Sequence, residues 1–182
     1  MPDARAAWAF LEDSELIASA EEVQSAVRRL ADEIGGTLGE RYPLVLAVMG
    51  GAVVFAGQIL PLLRFPLDFD YVHVTRYGQH TAGGALSWRA EPSTPVSGRT
   101  VLLVDDILDE GLTLAAIRER LLQRGADACY TAVLADKLIG RKKPIAADFV
   151  ALTVPDRFLF GCGMDVFGAW RNLPAIYAMR DD

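Results

Sequence analysis

Apolar and polar positions along this chain alternate between two periods. Ser19 followed by Glu22 forms a capping box, and Val23, Ala26, Val27, Leu30, Ala31 and Ile34 then recur at helical spacing up to Gly35-Gly36, which predicts an amphipathic helix. Near-continuous apolar runs at residues 44–48, 67–75, 100–104, 128–135 and 148–154, each bounded by Gly, Pro or Asp, predict strands. Between them, residues 53–63 have helix length, and Leu114, Ile117 and Leu121 mark one face of a helix from about 113 to 124, with Gly125 where a C-terminal cap belongs. Strands this apolar, alternating with helices, are covered on both faces. The pattern predicts an α/β fold with an open, mostly parallel sheet and helices on both sides. Residues 77–98, with Gly78, Gly83, Gly84, Pro92 and Pro95, predict one long loop, and a loop of that length in a compact domain is usually functional.

The 182 residues, 52% of them hydrophobic, suffice for one core and a single domain. Residues 42–63 carry no charge and are long enough to span a bilayer, but Pro43, Gly50-Gly51, Gly57, Gln58 and Pro61 divide them into a strand, a turn and a helix. The apolar run at 6–11 is too short for a signal peptide. Cys129 and Cys162 provide neither a disulfide framework nor a zinc spacing, so a reducing, cytoplasmic setting is expected. With 18 Lys and Arg against 24 Asp and Glu, the net charge of -6 argues against nucleic acid as a partner. The one candidate basic patch is Lys137, Arg141, Lys142 and Lys143.

The segment 100–114 carries the most chemistry. Its apolar run ends in Asp105-Asp106, at the carboxyl end of a strand, where an open parallel sheet binds its ligands. Adjacent carboxylates repel unless a cation or hydroxyl groups receive them, which suggests Mg²⁺ or a polyol such as ribose. Asp109, Glu110, Gly111 and Thr113 follow and lead into a helix, whose free amides form an anion site. The combination predicts sugar hydroxyls beside a phosphate. A Walker B strand is excluded because no Gly-Lys pair occurs, and a response-regulator receiver because no lysine follows Lys143.

On these residues the chain resembles the type I phosphoribosyltransferases, more closely those that act on hypoxanthine and guanine. Residues 101–113 look like the signature for 5-phosphoribosyl 1-pyrophosphate. Val154-Pro155-Asp156-Arg157-Phe158-Leu159-Phe160-Gly161-Cys162-Gly163-Met164-Asp165, continuing through Trp170-Arg171-Asn172-Leu173-Pro174, is similar to the purine-binding region, and Met49-Gly50-Gly51-Ala52 takes the place of the pyrophosphate loop. The first 18 residues match no part of the pattern. The resemblance implies a core of about residues 37–155 under a small purine-binding hood, built from the N-terminal segment and about 156–182, with a mobile lid loop. It implies Mg²⁺-dependent phosphoribosyl transfer to N9 of a 6-oxopurine, giving IMP or GMP and pyrophosphate, in a homodimer or homotetramer.

Residue by residue, Asp105 and Asp106 match the pair that engages ribose hydroxyls, directly or through Mg²⁺, and Asp109 the acid/base group facing purine N7. Glu110, Gly111, Leu112 and Thr113 match the 5-phosphate loop. Lys137 matches the lysine that reads the exocyclic oxygen, Phe158 the aromatic that stacks on the base, and Leu159 the residue whose carbonyl accepts from it. Asp165 matches a metal ligand; Gly50, Gly51, Arg76, Tyr77 and Arg171 match pyrophosphate contacts. Three positions depart from the pattern: Met49 replaces a lysine; Glu110 replaces Thr or Ser, so that either its side chain turns away from the phosphate, the preferred reading, or 5-phosphate binding is weaker; and Arg76 replaces Ser before Tyr77-Gly78. The alternatives are a nucleotide-sensing regulatory protein on the same scaffold, and a transferase for xanthine or uracil.

Overall fold

The structure is a computed structural model that describes residues 2–76 and 86–180. In chain order its elements are α1 (Ala4–Glu12), β1 (Ser14–Ala18), α2 (Ala20–Leu38), β2 (Leu44–Met49), α3 (Ala52–Ile59), a 3₁₀ turn (Leu60–Leu62), β3 (Asp68–Arg76), β4 (Leu86–Ala90), β5 (Thr100–Leu108), α4 (Leu112–Gln123), β6 (Ala128–Leu138), β7 (Phe149–Pro155), β8 (Leu159–Phe160) and β9 (Ile176–Met179). Six strands form the central sheet in the order β4-β3-β2-β5-β6-β7, parallel throughout except for the antiparallel edge strand β4. A smaller antiparallel sheet, β1-β9-β8, joins the N-terminal strand to two from the C-terminal region.

The connections decide where a ligand can sit. From β2 the chain crosses through α3 to β3 on one side, and from β5 through α4 to β6 on the other. Right-handed crossovers running in opposite directions put α3 and α4 on opposite faces, and the crevice opens where they diverge, between β2 and β5. The registers widen it. Pairing of β5 with β2 ends at Ala47 opposite Val104, whereas pairing with β6 continues to Leu108 opposite Asp136. Residues 105–108 therefore run on beyond β2 with one flank uncovered.

Burial explains the rest. Leu44, Val45, Leu46, Val101, Leu102 and Leu103 are fully buried, as a strand covered on both faces requires. Leu114, Ile117 and Leu121 of α4 pack inward, and α2 lies against β7 and α3. The uncharged stretch from residue 42 folds as the expected strand, turn and helix, and among the described residues no helix is long and apolar enough to cross a membrane.

Four local expectations change. Helix α2 does not stop at Gly35-Gly36 but continues to Leu38, because Ile34 and Leu38 are both fully buried and their burial outweighs the poor helix propensity of glycine. Strand β5 does not end at Val104, so Asp105 and Asp106 lie inside it. The predicted 77–98 loop contains β4, held by its ladder to β3; a lid at 77–85, Tyr77 included, lies outside the described residues. The N-terminal segment is ordered too: the Asp3 carboxylate caps α1 by accepting from Ala6 N at 2.8 Å, and β1 pairs with β9.

Gly36 offers a direct test of the α2 reading. A Cβ there meets nothing within 4 Å, so Gly36→Ala is expected to stabilise the fold by about 0.4–1 kcal/mol, read as a higher urea midpoint.

Candidate active site

The crevice between β2 and β5 is a cleft of about 450 Å³, lined by Val48, Met49 and Gly51 from one side, by residues 105–111, Thr113 and Leu114 from the other, and by Arg171. It gathers Asp105, Asp106, Asp109, Glu110, Gly111, Thr113, Gly51 and Arg171 from the predicted set.

Its floor is the acidic pair. Asp106 is 9% exposed, and its Oδ1 accepts from Ile107 N at 2.9 Å, while Asp105 Oδ1 accepts from Asp106 N at 3.0 Å. Burial holds the Asp105 carboxyl well above the usual carboxylate range, and the neighbouring Asp106 charge pushes it further the same way. Burial also raises Asp106, partly offset by its hydrogen bonds with Asp105 and Ile107 N and by the Arg171 charge. Two buried carboxyls that resist ionisation form a site waiting for hydroxyl donors or a cation. Among the described residues no cluster of three or more His, Cys, Asp or Glu is placed to hold a metal by protein groups alone. Mg²⁺ bound through one or two carboxylates plus substrate oxygens needs no such cage, and Asp105 and Asp106 supply that number.

Gly51 and Gly163 make this packing feasible. A Cβ on Gly51 would stand 1.9 Å from Asp106 Oδ2, and one on Gly163, at φ +109°, would stand 2.0 Å from Gly51 O. Backbone from the 161–164 turn thus rests directly on the turn after β2. Cys162, between Gly161 and Gly163 at φ +54°, is buried, and burial pushes its thiol up to about 11, so it presents no thiolate at neutral pH.

Past the carboxylates, β5 delivers Asp109 next to Lys137 of β6, with Lys137 Nζ 3.2 Å from Asp109 Oδ2. Glu110 forms an ion pair with Arg141, which takes its carboxylate toward that guanidinium. Gly111 then adopts the left-handed conformation at φ +78° and starts α4 without any side-chain cap bond. The first-turn amides, at Leu112 and Thr113, keep their capacity for an anion, and the dipole end of a 12-residue helix favours one there.

The C-terminal region, where the hood is expected, closes the opposite side. Arg171 Nη1 donates to Gly163 O at 2.5 Å and its Nη2 is ion-paired with Asp165, whose Oδ2 also accepts from Gly168 N at 2.7 Å. The predicted metal ligand and the predicted pyrophosphate cation are thus partners of each other. Phe158 is 52% exposed and stacks on Phe167 at 5.9 Å between centroids, and Phe167 in turn meets Phe10 of α1. Met179 N donates to Phe158 O, so Leu159, opposite Ala178, is the non-hydrogen-bonded pair of the β8–β9 ladder and its carbonyl points away from β9.

Leu159 and Phe158 do not line the cleft itself; they belong to the hood beside it, as does Asp165. Gly50 is in the turn after β2, next to Gly51. Arg76 ends β3, where only its backbone is described. Sequence reasoning missed Ile107 and Leu108 of the lining, which looked like ordinary strand residues, and the use of α1 as a brace. Trp8 packs edge-on against Trp170, whose Nε1 donates to Ala7 O at 2.5 Å. The apolar face of α1, with Trp8 and Phe10, was the available signal.

Comparison with known proteins accords with this geometry. The family model described as the phosphoribosyl transferase domain matches residues 15–166. A hypoxanthine-guanine phosphoribosyltransferase of Bacillus subtilis is 35% identical over 91% of this chain and 92% of its own. A hypoxanthine-guanine-xanthine phosphoribosyltransferase of Tritrichomonas foetus is 32% identical over 88% of each. Among solved structures, a hypoxanthine phosphoribosyltransferase from Staphylococcus aureus superposes with a TM-score of 0.88 at 25% identity, over 94% of this chain and 95% of its own.

The raised carboxyls have a consequence for stability. Groups that bind protons more tightly when folded make stability fall as pH rises from the ordinary carboxylate range into the raised one. Asp105→Asn is therefore expected to raise the urea midpoint at pH 7 without divalent cations, with a gain that shrinks as pH is lowered toward 4.

Proposed function

This chain belongs to the phosphoribosyl transferase family, among the hypoxanthine-guanine phosphoribosyltransferases of purine salvage, and from that premise we propose how its cleft divides the work. The donor is 5-phosphoribosyl 1-pyrophosphate. Its 5-phosphate sits on the amides that open α4, from Gly111 to Thr113, with Glu110 kept aside by Arg141. The ribose hydroxyls meet Asp105 and Asp106. Pyrophosphate leaves toward Gly50-Gly51 and Arg171, with Arg76 and Tyr77 closing over it, and the Asp165–Arg171 pair loosens to share it. Asp105 and Asp106, and separately Asp165, would each hold Mg²⁺ jointly with substrate oxygens, and the metal would supply charge neutralisation for the leaving group.

The observation that carries the acceptor assignment is the ion pair of Asp109 with Lys137 at 3.2 Å. A 6-oxopurine presents N7 and O6 side by side on one edge, both acceptors, whereas adenine replaces O6 with an amino donor. Lys137 donates to O6, and the Asp109 carboxylate takes the N7 proton as N9 becomes the nucleophile. An ammonium facing the adenine amino group would set donor against donor, which excludes that base. Phe158 lies on the ring and the outward Leu159 carbonyl accepts from its far edge, which makes the β1-β9-β8 unit the hood over the base. Hypoxanthine and guanine are the acceptors in this reading, and assembly as a homodimer or homotetramer in the cytoplasm belongs to it. Phe69 and Tyr71, both exposed on β3, supply an apolar face for such assembly.

A nucleotide-sensing protein that also binds RNA is disfavoured by what the cations do. Lys137, Arg141 and Lys143, three of the four cations in the candidate basic patch, each face an acidic partner within the chain, which lowers the positive charge the patch presents to a polyanion.

The reading is tested by incubating the protein with Mg²⁺, the donor and each of hypoxanthine, guanine, xanthine, adenine and uracil. IMP and GMP are the expected products, and no product from any base would overturn the assignment. Asp109→Asn is expected to lower kcat by about 100-fold or more while donor KM stays near the parent value.

A further inference from the structure

Lys143 is the buried cation that this scheme leaves unused. Its side chain is 12% exposed, and its Nζ lies 2.6 Å from each of three oxygens: Leu108 O, Lys137 O and Asp136 Oδ1. An ammonium has three N–H groups, so every donor is committed, and Asp136 supplies the countercharge that burial demands. Its location matters more than its count. The β5–β6 ladder ends at Leu108 opposite Asp136, immediately before Asp109 and Lys137. The ammonium bonds the carbonyl preceding Asp109 and the carbonyl of Lys137 itself, extending the connection between the strands one step beyond the last rung.

We propose that Lys143 is a positioning residue that fixes the spacing between Asp109 and Lys137 and so sets the fit of the 6-oxopurine edge. The inference rests on the acceptor assignment above. Without the ammonium, two strand ends carrying the proton-transfer group and the oxygen reader separate freely, and misplacement at this scale lowers rate and base affinity together. The stem does a second job, since a Cβ on Gly111 would lie 3.6 Å from Lys143 Cβ, which places the stem beside the phosphate loop. Methionine preserves that stem and removes only the charge and its three bonds.

Lys143→Met is therefore expected to raise KM for hypoxanthine about ten-fold and to weaken discrimination against adenine, while KM for the phosphoribosyl donor stays within about two-fold. A purely structural role would reduce kcat through a smaller folded fraction and leave both KM values unchanged. The double variant Asp136→Asn/Lys143→Met removes the leftover carboxylate charge as well as the tie, and is expected to fold and show the same rise in base KM. If the parent protein forms no nucleotide, the acceptor assignment fails. If the parent is active and either folded variant keeps the parent base KM, the inference alone is overturned. Failure of both variants to fold would make Lys143 a stability residue and overturn it equally.

Discussion

The cleft depends on the absence of two side chains. Asp106 can lie buried against the turn after β2 only because Gly51 leaves its carboxylate room, and the 161–164 turn can rest on that same point only because Gly163 has no Cβ to strike Gly51 O. Through this contact three distant segments meet: the end of β2, the middle of β5 and the start of the hood. Gly163 N donates to Arg171 O at 2.9 Å while Arg171 returns a bond to Gly163 O, so the same contact sets the one cation that lines the cleft among the described residues. A methyl group at Gly163 would strike the Gly51 carbonyl and push the 161–164 turn, with its bonds to Arg171, off the end of β2, whereas one at Gly51 would displace the Asp106 carboxylate.

Around that point the electrostatics are divided by location, which explains how a chain of net charge -6 accommodates an anionic substrate. Each carboxylate of the site faces something other than a phosphate. Asp105 and Asp106 are held toward neutrality by burial, Asp109 is paired with Lys137, Glu110 with Arg141, and Asp165 with Arg171. On the proposed reading, what meets phosphate is backbone N–H at the start of α4, the dipole of that helix and Arg171. Overall charge therefore predicts little about small ligands that meet amides and one well-placed cation.

Much of this was legible in the sequence because its signals were local. The strand of β5, its acidic pair, the Glu110-Gly111 loop and the face of α4 follow one another between Thr100 and Leu121, so one window of sequence contains them all. Signals that depend on contacts far along the chain were lost. Gly35-Gly36 reads as a helix stop, yet burial of Leu38 carries α2 through it. Strand β4 has no strong pattern of its own and exists through its ladder with β3. The Arg141 partner of Glu110 and the Leu108 partner of Lys143 lie 31 and 35 residues away along the chain, so no window of sequence could show that the first turns toward Arg141 and the second bonds Leu108. For the same reason a run of Arg141, Lys142 and Lys143 resembled a solvated patch, although Lys143 is mostly buried and Arg141 holds Glu110.

The central claim is that Asp109 and Lys137 together read one edge of a 6-oxopurine while α4 holds the phosphate. The most direct measurement is a crystal structure of the protein with GMP. The account predicts the phosphate on the amides of Gly111 to Thr113, the ribose hydroxyls at Asp105 and Asp106, and guanine N7 and O6 within hydrogen-bond distance of Asp109 and Lys137, respectively. A base turned so that N7 and O6 face elsewhere, with the 3.2 Å Asp109–Lys137 pair intact, would contradict it.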